Sequence, residues 1–189
     1  EGWQAGEPQM LTVFCSDPSR DEAIPRGKQI WTDESEGIWY TRTTGIWQSV
    51  RLEPVSPIHV KRTKLTPDID KGTIGLELVL GGRSRYEDGR ALSYELEIHF
   101  AEELIAQEHS LITDSQIIQR DVYVFGDSSF TQLPHGGQRC WWPDNPNLFD
   151  LKIRLYADDE VVDEIDSYFG MRKVHTENGM MYFNNMPFY

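Results

Sequence analysis

The sequence predicts an all-β protein built around an antiparallel sandwich of roughly seven strands, from about residue 57 to 174. Three observations carry the prediction. Long runs alternate apolar and polar residues with a period of two. Turn-forming residues punctuate the chain between those runs. The composition, 39% apolar and 12% aromatic over 189 residues, is globular and large enough to bury a core.

Taken in order, the first 56 residues differ from the rest. LTVFCSDPSRD (Leu11 to Asp21) reads as a strand followed by an Asp-Pro turn, and a long irregular loop then runs from Ser16 to Gly37. YTRTTGIWQSVRLEP (Tyr40 to Pro54) reads as a closing strand. Alternation sets Ile46, Gln48, Val50 and Leu52 off one face and Trp47, Ser49, Arg51 and Glu53 off the other, with proline as the stop. Two or three strands are too few to close a sandwich alone, so this region reads as an incomplete domain.

Further along, Ile74, Leu76, Leu78 and Leu80 alternate in TIGLELVL, as do Tyr94, Leu96, Ile98 and Phe100, and Phe149, Leu151, Ile153 and Leu155. Each run has one inward face, and two sheets must pack to bury such faces. Ala101 to Thr113 also fits a helical face through Leu104, Ile105, Leu111 and Ile112, but its neighbours favour a strand. Turns are expected at Pro67-Asp68, Asp70-Lys-Gly72, Glu87-Asp-Gly89, Gly126-Asp127, His135-Gly-Gly137, Pro143 to Pro146 and Asp158-Asp159. Val174 to Tyr189 holds a hairpin at Glu177-Asn-Gly179 and then the start of an apolar strand, MPFY.

The formal charge of −13 argues against a nucleic-acid partner or an anionic membrane surface. No apolar run approaches the roughly 18–20 residues of a membrane helix. Two cysteines, Cys15 and Cys140, are too few for a disulfide-stapled scaffold and read as buried or half-buried free thiols. Glu1-Gly-Trp-Gln lacks the basic start and apolar stretch of a signal peptide and the initiator Met, so an excised segment is expected. Its compartment is unknown, with the cytoplasm the favoured side.

Catalytic chemistry has weak support. The acid clusters Glu102/Glu103, Asp158/Asp159/Glu160 and Asp163/Glu164/Asp166 lie on strand edges or turns, where solvation explains them better than acid–base work in a cleft. His59, His99, His109, His135 and His175 show no metal-ligand spacing, and Asp68-Ile-Asp70-Lys-Gly72 is a turn rather than a calcium loop. No metal or cofactor is expected, and no GxSxG elbow occurs. Trp31, Trp39, Trp47 and Trp141-Trp142 could stack on sugar rings, or could fill a β core or a seam. If Trp141 and Trp142 are extended, only one enters a given core.

Several motifs, in order, resemble family 2 glycoside hydrolases, which include β-galactosidases, β-glucuronidases and β-mannosidases. Pro25-Arg-Gly-Lys-Gln29 with Trp31, Gly37-Ile-Trp-Tyr-Thr-Arg-Thr-Thr-Gly-Ile-Trp-Gln48 and Leu52-Glu-Pro54 resemble the end of that family's sugar-binding jelly roll. Trp142-Pro-Asp-Asn-Pro-Asn-Leu-Phe149 is similar to the segment before the last two strands of its immunoglobulin-like domain. Ser167-Tyr-Phe-Gly-Met-Arg-Lys173, Asn178-Gly and Asn184-Asn-Met-Pro-Phe188 resemble the crossing into its catalytic barrel.

The resemblance implies three parts. Residues 1–56 would be the last strands of an incomplete jelly roll, 57–174 an immunoglobulin-like antiparallel β-sandwich, and 175–189 a hairpin leading into a (β/α)₈ barrel. Family members are retaining enzymes with two barrel glutamates, so the resemblance implies no catalytic residue in this chain. It implies as partners the parent enzyme's own jelly roll and barrel and its carbohydrate substrate, and it allows a homo-oligomeric parent. The acidic residue that reaches galactose in the β-galactosidase branch has no counterpart in Trp39 to Thr44, which leaves Trp39, Tyr40 and Arg42 as the substrate-proximal candidates. Two rival readings are a free-standing carbohydrate-binding or adhesion sandwich and an oligomerisation module.

Overall fold

A computed structural model describes residues 6, 8, 10–18, 20–25, 27–82, 89–113, 115–125 and 139–188. Trp3, Arg26, Glu87-Asp88, the Gly126-Asp127 turn and His135-Gly-Gly137 lie outside them. The chain divides into two units, Glu1–Glu53 and Pro54–Tyr189.

The second unit holds every regular element of the described residues, and all are strands. β1 (His59–Asp68), β2 (Thr73–Gly81) and β5 (Ile117–Tyr123) form one sheet in the order β1-β2-β5. β3 (Leu92–Phe100), β4 (Glu103–Leu111), β8 (Phe149–Ala157) and β9 (Glu160–Phe169) form the other, in the order β4-β3-β8-β9. All pairings are antiparallel. Three strands plus four give the seven expected, and the stretch Ala101 to Thr113 holds strand β4.

Burial follows the alternation. Ile74, Leu76, Leu78 and Leu80 of β2 face Tyr94, Leu96 and Ile98 of β3 and Leu151, Ile153 and Leu155 of β8 in one core. Phe149 stacks on Phe169 at 5.1 Å and lies 5.0 Å from Phe100, closing one end of it. The sheets are tied at one edge by the Val60 N–H, which donates to Asp163 Oδ2 at 2.7 Å. At the opposite edge the Tyr94 hydroxyl and Arg120 Nε both donate to Glu108 Oε1, at 2.5 and 3.0 Å.

The hairpin turns match their residues. Asp158 has φ 55° in the two-residue turn to β9, and its Oδ1 accepts the Ala91 N–H at 3.0 Å. Asn178 and Gly179, at φ 50° and 78°, join β10 (Val174–Glu177) to β11 (Met180–Phe183), as a type I′ turn requires. β11 continues into β12 (Met186–Pro187), and the three make a separate sheet. β6 (Trp141–Trp142) and β7 (Asn145–Pro146) form a two-stranded ladder.

Three expectations are corrected. Pro67-Asp68 is the end of β1, and the turn begins at Ile69. A proline fits there because β1 is an edge strand and one side of its backbone needs no ladder donor. Second, neither Leu11 to Cys15 nor Tyr40 to Pro54 is a strand. Extended chain becomes a strand only when a neighbour receives its hydrogen bonds, and among the described residues of Glu1–Glu53 pairing is confined to isolated bridges at Gln29–Tyr40 and Glu36–Trp39. Third, Cys15 is exposed, whereas Cys140 is buried.

Candidate functional site

Trp39, Tyr40 and Arg42 sit in the first unit just after a tight turn. Glu36 and Trp39 exchange both backbone bonds, Glu36 N–H to the Trp39 carbonyl at 3.2 Å and Trp39 N–H to the Glu36 carbonyl at 3.0 Å. Gly37, at φ 58°, supplies the positive φ that the two-residue loop needs. Tyr40 is then pinned beside residues 28–30: its N–H donates to the Lys28 carbonyl at 2.9 Å and its carbonyl accepts the Ile30 N–H at 2.7 Å. Ile30 is the one buried residue described in this unit.

The Thr41 N–H donates to Ser35 Oγ at 3.0 Å. Arg42 Nη2 reaches Asp33 Oδ1 at 3.5 Å, and Arg20 shares that carboxylate at 3.7 Å. Asp33 is largely exposed, so these pairs contribute little stability. Arg42 Nη1 is buried with no hydrogen-bond partner among the described residues.

Trp39 and Tyr40 are 43% and 58% exposed, and Trp47 is 86% exposed. Among the described residues of this unit Trp31, Trp39 and Trp47 therefore do not fill a core, since Ile30 is the one buried side chain there. The three candidates are sequence neighbours, and nothing described gathers them into a cleft. They offer ring faces and hydrogen-bond donors.

Trp141 and Trp142 behave differently. Trp142 packs on the sandwich core, while Trp141 lies against Gly170 with the Arg172 guanidinium 5.0 Å from its ring centre. Their indoles also flank one residue, Phe183, at 5.9 and 5.3 Å. Opposite-face geometry holds for the core, yet Phe183 comes from another element and touches both.

Several acids of the clusters are tied to partners. Glu164 accepts from Arg154 at 2.6 Å and from Lys152 at 3.4 Å, and Arg154 also donates to Glu95 at 3.0 Å. The Tyr156 hydroxyl donates to Glu95 at 2.8 Å. The Tyr156 bond, then Arg154, hold Glu95 below its ordinary carboxylate range, and Arg154 does the same for Glu164. A general acid needs the opposite shift. Glu103 pairs with Arg139 at 2.6 Å.

Glu95, Glu97, Lys152 and Arg154 alternate with the apolar residues of β3 and β8 and so fall on the outward face. What alternation could not give is the register that sets Glu95 beside Arg154 and Arg154 beside Glu164. A shallow depression of about 440 Å³ lies on the β1-β2-β5 sheet, lined by Lys64, Thr66, Gly75, Glu77, Gln119 and Asp121 among others. It has no aromatic wall, and Glu77 is held there by Arg62 and Gln119. Among the described residues no three His, Cys, Asp or Glu side chains converge as metal ligands.

A family model described as "Glycosyl hydrolases family 2" matches residues 58–172, the span of the seven-stranded sandwich. A β-galactosidase of Leuconostoc mesenteroides is 28% identical over 158 residues, which are 82% of this chain and 14% of that protein. A β-galactosidase of Thermoanaerobacterium thermosulfurigenes is 24% identical over 181 residues, 94% of this chain and 23% of the relative. A crystal structure of a glycosyl hydrolase family 2 member from Bacteroides cellulosilyticus shares the fold, with a TM-score of 0.53 at 18% identity over 70% of this chain and 18% of that one. The chain thus spans under a quarter of the length of each of these relatives.

Proposed function

This chain belongs to glycosyl hydrolase family 2, and from that membership we propose that it is a non-catalytic β-sandwich segment of a retaining, β-galactosidase-like hydrolase of β-glycosides. Its work is to space a sugar-binding jelly roll from a catalytic barrel and to give the barrel a rigid flank. The observation that carries the reading is the state of the carboxylates. Of the acids in the three clusters, Glu103 and Glu164 are bound to arginines, as Glu95 is to Arg154 and Tyr156, rather than poised in a cleft. The chain's small share of its relatives leaves ample length for a barrel and its two glutamates.

The test is an assay of the purified chain on aryl β-galactosides and β-glucuronides. No turnover is expected, and measurable turnover that survives purification controls overturns the reading. A parent protein spanning the barrel is expected to hydrolyse one of these substrates.

The exposure of Trp39 and Tyr40 favours a second, compatible role, contact with the parent's sugar from Trp39, Tyr40 and Arg42. Titration with galactosides and glucuronides, followed by tryptophan fluorescence, distinguishes a free-standing binder from a scaffold. Saturable quenching at sub-millimolar sugar by the chain alone indicates a binder, and a flat response indicates the scaffold.

A further inference from the structure

The turn between β11 and β12 is Asn184-Asn185, with both residues at positive φ, 46° and 66°. Asn184 is 2% exposed and its amide is used at both ends. Nδ2 donates to the Trp141 carbonyl at 2.9 Å, and Oδ1 accepts the Lys173 N–H at 2.9 Å. Its own N–H donates to the Lys173 carbonyl at 2.8 Å. The next residue reaches a distant part of the chain, with Asn185 Nδ2 donating to Asp70 Oδ1 at 2.7 Å across 115 positions. Lys173 Nζ donates to the second oxygen, Asp70 Oδ2, at 2.5 Å.

One carboxylate in the β1–β2 turn therefore grips both sides of the three-stranded unit: the residue that leads into β10 and the turn that leaves β11. The turn is itself braced, since Asp68 Oδ1 accepts the Asp70 and Lys71 N–H groups at 3.1 and 3.0 Å. The β10-β11-β12 ladder is a sheet of its own and joins neither sandwich sheet. Its apolar attachment is Phe183, 7% exposed between Trp141 and Trp142. Apolar contact is non-directional, whereas hydrogen bonds fix orientation.

We propose that Asp70 is a latch that holds the β10–β12 unit ordered in its place on the sandwich, with Phe183 and Asn184 as the anchor that remains when the latch opens. Opening leaves the seven-stranded sandwich folded. The device does not depend on the enzymatic reading above. A surface-accessible carboxylate suits a latch, because its bonds are exchangeable with water and weak enough to open.

Hydrogen exchange on the full chain tests this, using Asp70→Ala, Asn185→Gly, which removes the amide while tolerating the positive φ, and the double variant. In Asp70→Ala, amides of residues 180–186 are expected to exchange about tenfold faster, the effect of losing a hydrogen bond to a charged group. Amides of β3 and β8 are expected to be unchanged. The double variant should match Asp70→Ala, since Asn185 acts through the same carboxylate. Unchanged hairpin exchange, equal acceleration in β3 and β8, or an additive double variant would each overturn the latch.

Discussion

A β-carbon at Gly82 would lie 1.6 Å from the Pro57 carbonyl oxygen, and its φ of 71° already disfavours any side chain. Gly179, at φ 78°, has nothing within 4 Å of the same position. The pair separates backbone strain from steric overlap. Gly179→Ala should cost about 1 kcal/mol and Gly82→Ala about 3 kcal/mol or more, read by urea unfolding. Equal effects would show that the Pro57 contact relaxes freely. The cysteines give a second residue-scale prediction. Burial pushes the Cys140 thiol up to about 11, while Cys15 is exposed. A thiol reagent at pH 8 should label one site in the native chain and two after denaturation. The sequence marked Gly81-Gly82 as a break, which is a local property. It could not show that Pro57, 25 positions earlier, is the atom group that demands the glycine.

At the scale of elements, β2, β3 and β8 were legible because each is flanked by strands on both sides and buries one whole face. β1 and β5 are edges, and their half-exposed patterns carry less alternation. Tyr40 to Pro54 shows the converse: a strand-like pattern without a ladder, with Leu52 95% exposed. The outward face of β3, β8 and β9 makes the pH prediction. Glu95 and Glu164 have carboxyls held below their ordinary range by Tyr156 and Arg154, so the folded state binds fewer protons than the unfolded one in acid. Their contribution is therefore complete above the usual carboxylate range, about pH 4.5, and fades as pH falls through the lowered folded values. Stability measured from pH 6 down to pH 3 should fall, and the double variant Glu95→Gln, Glu164→Gln should flatten that fall. An unchanged slope would assign the acid sensitivity elsewhere.

For the whole molecule, the core lies within Pro54–Tyr189, so a chain of residues 54–189 should keep the cooperative melting transition. A Tm within about 4 °C of the full chain is expected, the shift that one kcal/mol produces; loss of the transition would place part of the core's support in the first 53 residues. Leu96→Ala in that core should cost about 3 kcal/mol in either form. The sequence by itself determined the all-β class, the inward faces of the long strands and the hairpin at Asn178-Gly179, because alternation and turn chemistry are properties of neighbouring residues. Tertiary structure alone decided which strands pair, which acids meet Arg154, that Trp141 and Trp142 share Phe183, and that Asp70 meets Lys173 across 103 positions. Those contacts join distant parts of the chain, and a local pattern specifies that a face must be covered without specifying what covers it.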